Sequence, residues 1–165
     1  MLDWSIGYRE HPVAIRVPVG LTVKATRPVD TDYSCLNKYE VVKRGTDVAV
    51  LGLGNFFHLG EKVCALLEER GIGVTLINPR FITGVDTGLM DSLTSDHRIV
   101  VTLEDGALEG GFGEKIARHF GKSDIKVLCY GAKKEFVDRY VASEYLAANR
   151  LREDLIAEDV MALLA

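Results

Sequence analysis

The sequence predicts a three-layer α/β/α domain on a mainly parallel, five-stranded sheet. Three observations predict it. Short apolar, β-branched runs recur along the chain, as strands buried on both faces require. Between them lie stretches whose apolar residues return at helical spacing. Strand and helix alternate at the intervals of βαβ units, whose crossovers are right-handed.

Taken in order, Pro12–Gly20 reads as a strand ended by Pro18 and Gly20. Residues 21–38 are polar, with Pro28 and several Thr and Asp, and show neither period; they read as a linker. Tyr39–Lys43 suits an antiparallel edge strand, joined by a tight Arg44–Asp47 turn to the first parallel strand, Val48–Leu53. His58–Arg70 carries Leu59, Val63, Leu66 and Leu67 as a helical stripe, with Gly71 at the capping position. Val74–Asn78 is the next strand. Asp86–Leu93 is a short helix with Asp86 at its start. Arg98–Leu103 is a strand, Glu114–Phe120 a helix stopped by Gly121, and Ile125–Cys129 a strand. Residues 133–165 are helical in composition, and Glu158–Leu164 forms a last helix with Val160, Leu163 and Leu164 inward.

Composition narrows the function. A chain of 165 residues, 47% hydrophobic and 27% charged, is of ordinary globular make-up and long enough for a core without staples. A net charge of −4 with no Lys/Arg run argues against nucleic acid, whose phosphates call for a basic face. No apolar stretch nears the ~20 residues of a spanning helix, so no membrane partner is expected. Cys35, Cys64 and Cys129 are scattered and unpaired in spacing, as in a reduced cytoplasmic protein. His11, His58, His97 and His119 stand alone, without metal-ligand spacing, so no metal site is expected.

Two glycine loops follow strands. Gly52–Phe57 sits where a dinucleotide fingerprint belongs, but Phe57 stands in place of the third glycine and the next strand ends in Asn78 rather than an acid. Glu104–Gly113 links a strand to a helix at the carboxyl edge of the sheet. The amides of Gly111–Gly113 are placed to hold an anion. Three acids in the same loop, Glu104, Asp105 and Glu109, would repel phosphate. Those acids are better employed accepting backbone N–H bonds that fix the loop. The glycines, Gly110, Gly111 and Gly113, then permit close backbone contact with another domain or subunit.

Four segments carry a family resemblance: Ala14–Gly20 (AIRVPVG), Lys43–Leu51 (KRGTDVAVL), Ile77–Asp86 (INPRFITGVD) and Val101–Gly113 (VTLEDGALEGGFG). In this order and spacing they resemble the 1-deoxy-D-xylulose-5-phosphate synthase family of thiamine-diphosphate enzymes, within the transketolase group. The first is similar to the end of the pyrimidine-binding domain; the others are similar to the C-terminal domain. The resemblance runs to about Gly131. It implies a transketolase C-terminal-domain-like fold, with residues 1–20 the tail of the preceding domain, 21–38 a linker and 39–165 the C-terminal domain. It also implies a parent transferase, a homodimer, that condenses pyruvate with glyceraldehyde 3-phosphate toward isoprenoid and thiamine precursors.

The same resemblance implies that thiamine diphosphate and Mg²⁺ belong to the full-length parent. Their GDG motif and the activating Glu are not in this chain, so the chain alone is expected neither to bind the cofactor nor to turn over. The interface role falls on Glu104–Gly113, with Arg80 and Phe81 nearby. Where the family carries Tyr-Pro-Arg-Gly, this chain has Val17–Gly20. Val19 thus replaces an Arg that resembles a substrate-phosphate ligand, while Arg16 is retained near the domain boundary. Gly84 replaces a Pro, and Ala132–Lys134 replaces Leu-Pro-Asp. Two other readings stay open: part of a split transketolase or 2-oxoacid dehydrogenase β subunit, and a small-ligand module using Gly52–Asn55 and Gly110–Gly113.

Overall fold

The computed structural model describes residues 1–18 and 27–165. The chain divides into two units, Met1–Leu36 and Asn37–Ala165. The first holds helix α1 (Leu2–Gly7), whose Trp4 stacks on Tyr8, the residue just past its end, with ring centroids 4.6 Å apart. Asp32 accepts from both the N–H and the hydroxyl of Ser34. The strand expected from Pro12 is not formed over residues 12–18, and Val19 and Gly20 lie outside the described residues. A strand is defined by its ladder, and among the described residues of this unit no second strand offers one.

The second unit carries a five-stranded sheet in the order β1-β3-β2-β4-β5. Its strands are β1 (Glu40–Lys43), β2 (Asp47–Gly52), β3 (Val74–Asn78), β4 (His97–Ala107) and β5 (Lys126–Ala132). All neighbours pair in parallel except β1, which runs antiparallel to β3. The edge strand is therefore present, but β1 and β2 are not neighbours. Gly45 is pressed so close to the Val74 backbone that a Cβ would stand 2.5 Å from its nitrogen. The Thr75 hydroxyl ties both the N–H and the C=O of Gly45. Asp47 then turns at φ 65. The chain thus crosses over β3 to reach β2.

Alternation along the strands builds two cores. Val48, Val50, Leu76, Val101 and Leu103 face α2 (Phe57–Glu68) and α6 (Glu153–Leu164), meeting Val63, Leu67, Ile156 and Val160. Ala49, Leu51, Ile77 and Val100 face α3 (Thr87–Leu93) and α4 (Phe112–Phe120), meeting Met90, Leu93, Phe112, Ile116 and Phe120. Each such large apolar side chain contributes about 1.5–3 kcal/mol by leaving water. Three layers result. Gly71 ends α2 at φ 78, a conformation that costs glycine little. Asp86 caps α3 by accepting from the Leu89 N–H.

Four elements run longer than expected, among them β5, which continues to Ala132. β4 continues to Ala107, α4 begins at Phe112, and α6 begins at Glu153. Residues 133–141 form no helix; α5 spans Ala142–Ala148. The α5–α6 corner is held by Asp159, which accepts from the Tyr130 hydroxyl at 2.8 Å and from Arg150 at 2.7 and 3.0 Å.

Candidate functional site

From β2 the chain crosses through α2 to β3, and from β4 through α4 to β5, on the other side. Open α/β sheets bind ligands where such crossovers diverge, here between the carboxyl ends of β2 and β4. The Leu53 N–H donates to Leu103 O at 2.9 Å, and a short 3₁₀ turn (Gly54–Phe56) follows directly.

Glu104 is the centre of this edge. It is 3% exposed, and its two oxygens accept from the Phe112 and Gly113 N–H groups at 2.8 Å each. A carboxylate thus occupies the start of α4, where a phosphate would otherwise bind. The turn is tight around it. A Cβ on Gly111 would stand 2.5 Å from Ala107 O and 2.6 Å from Glu104 Oε2. One on Gly113 would stand 2.7 Å from Thr102 Oγ1 and 2.9 Å from Cys129 Sγ. The Gly110 N–H donates to Glu114, and the Gly111 N–H to Leu108 O. Asp105 and Glu109 are exposed; Glu109 meets Lys134 at 3.6 Å.

Arg80 and Phe81 lie in the loop from Pro79 to Asp86. The Phe81 N–H donates to Pro79 O at 2.6 Å with Arg80 at φ 62, a γ-turn of the strained hand. The loop is pinned to the start of the unit. The Arg80 guanidinium donates to Lys38 O, the Tyr39 hydroxyl to Gly84 O, and the Thr83 hydroxyl to Asn37 Oδ1. Buried Asp86 accepts from the Tyr39 N–H and the Lys38 ammonium, each at 3.1 Å, as well as from Leu89. Burial alone would raise its carboxyl. The bonds from Tyr39, Lys38 and Leu89 together outweigh burial and hold it below the usual carboxylate range. Lys115 of α4 donates to Ile82 O at 2.7 Å, so this loop and the glycine loop flank one groove of about 520 Å³.

The structure thus brings Arg80, Phe81 and Glu104–Gly113 to one edge of the sheet. Arg16 is exposed in the first unit, and Val19 lies outside the described residues. Sequence reasoning named Asp86 only as a cap; its bonds to Lys38 and Tyr39 reach across about fifty positions and leave no local signal.

Among the described residues, the titratable groups elsewhere do not assemble a reaction centre. Asp96, His97 and Thr75 line up at 2.7 and 2.8 Å like an acid, base and nucleophile. Thr75, however, is 1% exposed and its hydroxyl serves Gly45, so no substrate reaches it. Burial pushes the Cys64 thiol up to about 12, with Glu68 adding to it, and burial likewise raises Cys129. Among the described residues no three His, Cys, Asp or Glu side chains converge on a metal site. At the start of α4 a Mg²⁺-bound diphosphate would find the Phe112 and Gly113 amides already taken by Glu104. No described helix is long and apolar enough to cross a membrane.

The fold and the glycine-loop edge define a class. Residues 37–154 match the family described as transketolase, C-terminal domain, and the chain belongs to that family. Over nearly its whole length it is similar to 1-deoxy-D-xylulose-5-phosphate synthases. The one from Clostridium tetani (strain Massachusetts / E88) is 28% identical over 166 residues, covering 99% of this chain and 26% of its own length. The one from Synechococcus sp. (strain JA-3-3Ab) is 32% identical over 170 residues, covering 98% and 25%. The chain therefore spans about a quarter of the length of these curated relatives. Among solved structures, a split gene transketolase, described as an inactive beta4 tetramer, shares the fold. Its TM-score is 0.69 at 22% identity, over 76% of this chain and 42% of that one.

Proposed function

We propose that this chain is the C-terminal, assembly-forming part of a thiamine-diphosphate transferase that condenses pyruvate with glyceraldehyde 3-phosphate to 1-deoxy-D-xylulose 5-phosphate. The similarity to synthases of that name across 98–99% of the chain carries this reading. In it, residues 1–20 close the pyrimidine-binding domain, 21–38 link, and 39–165 form the C-terminal domain. The parent is a cytoplasmic homodimer with thiamine diphosphate and Mg²⁺ held by its other domains. The edge formed by Arg80, Phe81 and Glu104–Gly113 meets the neighbouring domain or subunit. Glu104 supports that role, since its bonds make the loop rigid and leave the start of α4 without a free anion seat. This also speaks against the small-ligand module.

Titration calorimetry with thiamine diphosphate and Mg²⁺ is the test of the cofactor reading. The chain is expected to give no saturable heat, and micromolar binding would overturn the proposal. Light scattering behind size exclusion tests assembly: self-association at high concentration is expected, and a strict monomer counts against the interface.

A further inference from the structure

We draw no further inference here: the strongest candidate, the groove between residues 83–87 and α4 where Lys115, Arg118 and His119 gather, belongs to the glycine-loop edge already described, with Lys115 and His119 bonded to Ile82 O and Asp91 and nothing to show what covers it.

Discussion

Replacing Glu104 by alanine removes both acceptors at the start of α4 while leaving the loop's glycines in place. The Phe112 and Gly113 N–H groups, each 2.8 Å from a Glu104 oxygen, would then face no protein partner in a buried site. An unmet buried donor costs about 1–3 kcal/mol. Loss of an anion at a helix start adds about 0.3–1 kcal/mol, and more where it is buried. Against this, the space left by the side chain admits water, which meets part of the demand. The net loss is about 3 kcal/mol. With a urea slope of about 1.5 kcal/mol/M, the unfolding midpoint falls by about 2 M. Glutamine keeps the shape and one acceptor but turns an NH₂ toward the second N–H, for a loss of about 2 kcal/mol. Urea unfolding followed by circular dichroism measures both. Amide exchange at Phe112 and Gly113 should quicken in the alanine variant. A midpoint for Glu104→Ala within about 0.3 M of the parent, or exchange unchanged at those two amides, would refute the reasoning.

The other expectations follow from the same geometry. Gly113→Ala places a methyl 2.7 Å from Thr102 Oγ1 and should cost about 1–3 kcal/mol in thermal or urea unfolding, whereas Gly7→Ala, with nothing within 4 Å, should be near neutral. Because the Asp86 carboxyl sits below its ordinary value, its contribution is complete above the ordinary carboxylate range, about 3.9, and is lost on acidification through the lower folded value. Asp86→Asn should therefore cost about 1–2 kcal/mol at pH 6 and flatten the loss of stability below about pH 4; parallel acid limbs for the two proteins would contradict this. Tyr130→Phe removes one bond to Asp159 and should lower stability by about 1–2 kcal/mol, read from urea midpoints. A disulfide reagent should label exposed Cys35 rapidly and buried Cys64 only on unfolding; equal rates would contradict the packing.

The stretch from Val48 to Cys129 was the most legible in the sequence, for a physical reason. Its strands are covered on both faces, so they read as unbroken β-branched runs whatever their partners. Pairing is another matter. The Arg44–Asp47 turn signal does not say whether β1 lies beside β2 or beyond β3, because Gly45's fit against Val74 depends on contacts thirty residues away. The Pro12–Pro18 run has strand composition but no ladder. At the glycine loop, three acids stood in sequence with equal claim to hold it. Which one does so follows from β4 running on past Leu103: Glu104 then points inward and Asp105 outward by the two-residue alternation. The junction of Lys38, Tyr39, Arg80 and Asp86 is a meeting of distant segments, and only the folded chain displays it.

The crossing of β1 over β3 also sets an order of events during synthesis. β1 leaves the ribosome first in this unit, yet its partner residues, Leu76, Ile77 and Asn78, emerge only after β2 and α2. A neighbouring hairpin would close at once over a handful of residues; this pairing must wait for a loop of more than thirty to shut. The nascent strand therefore has no partner of its own until β3 has emerged. Its brevity, four residues with Glu40 and Lys43 at the ends, limits what it can pair with wrongly in the interval.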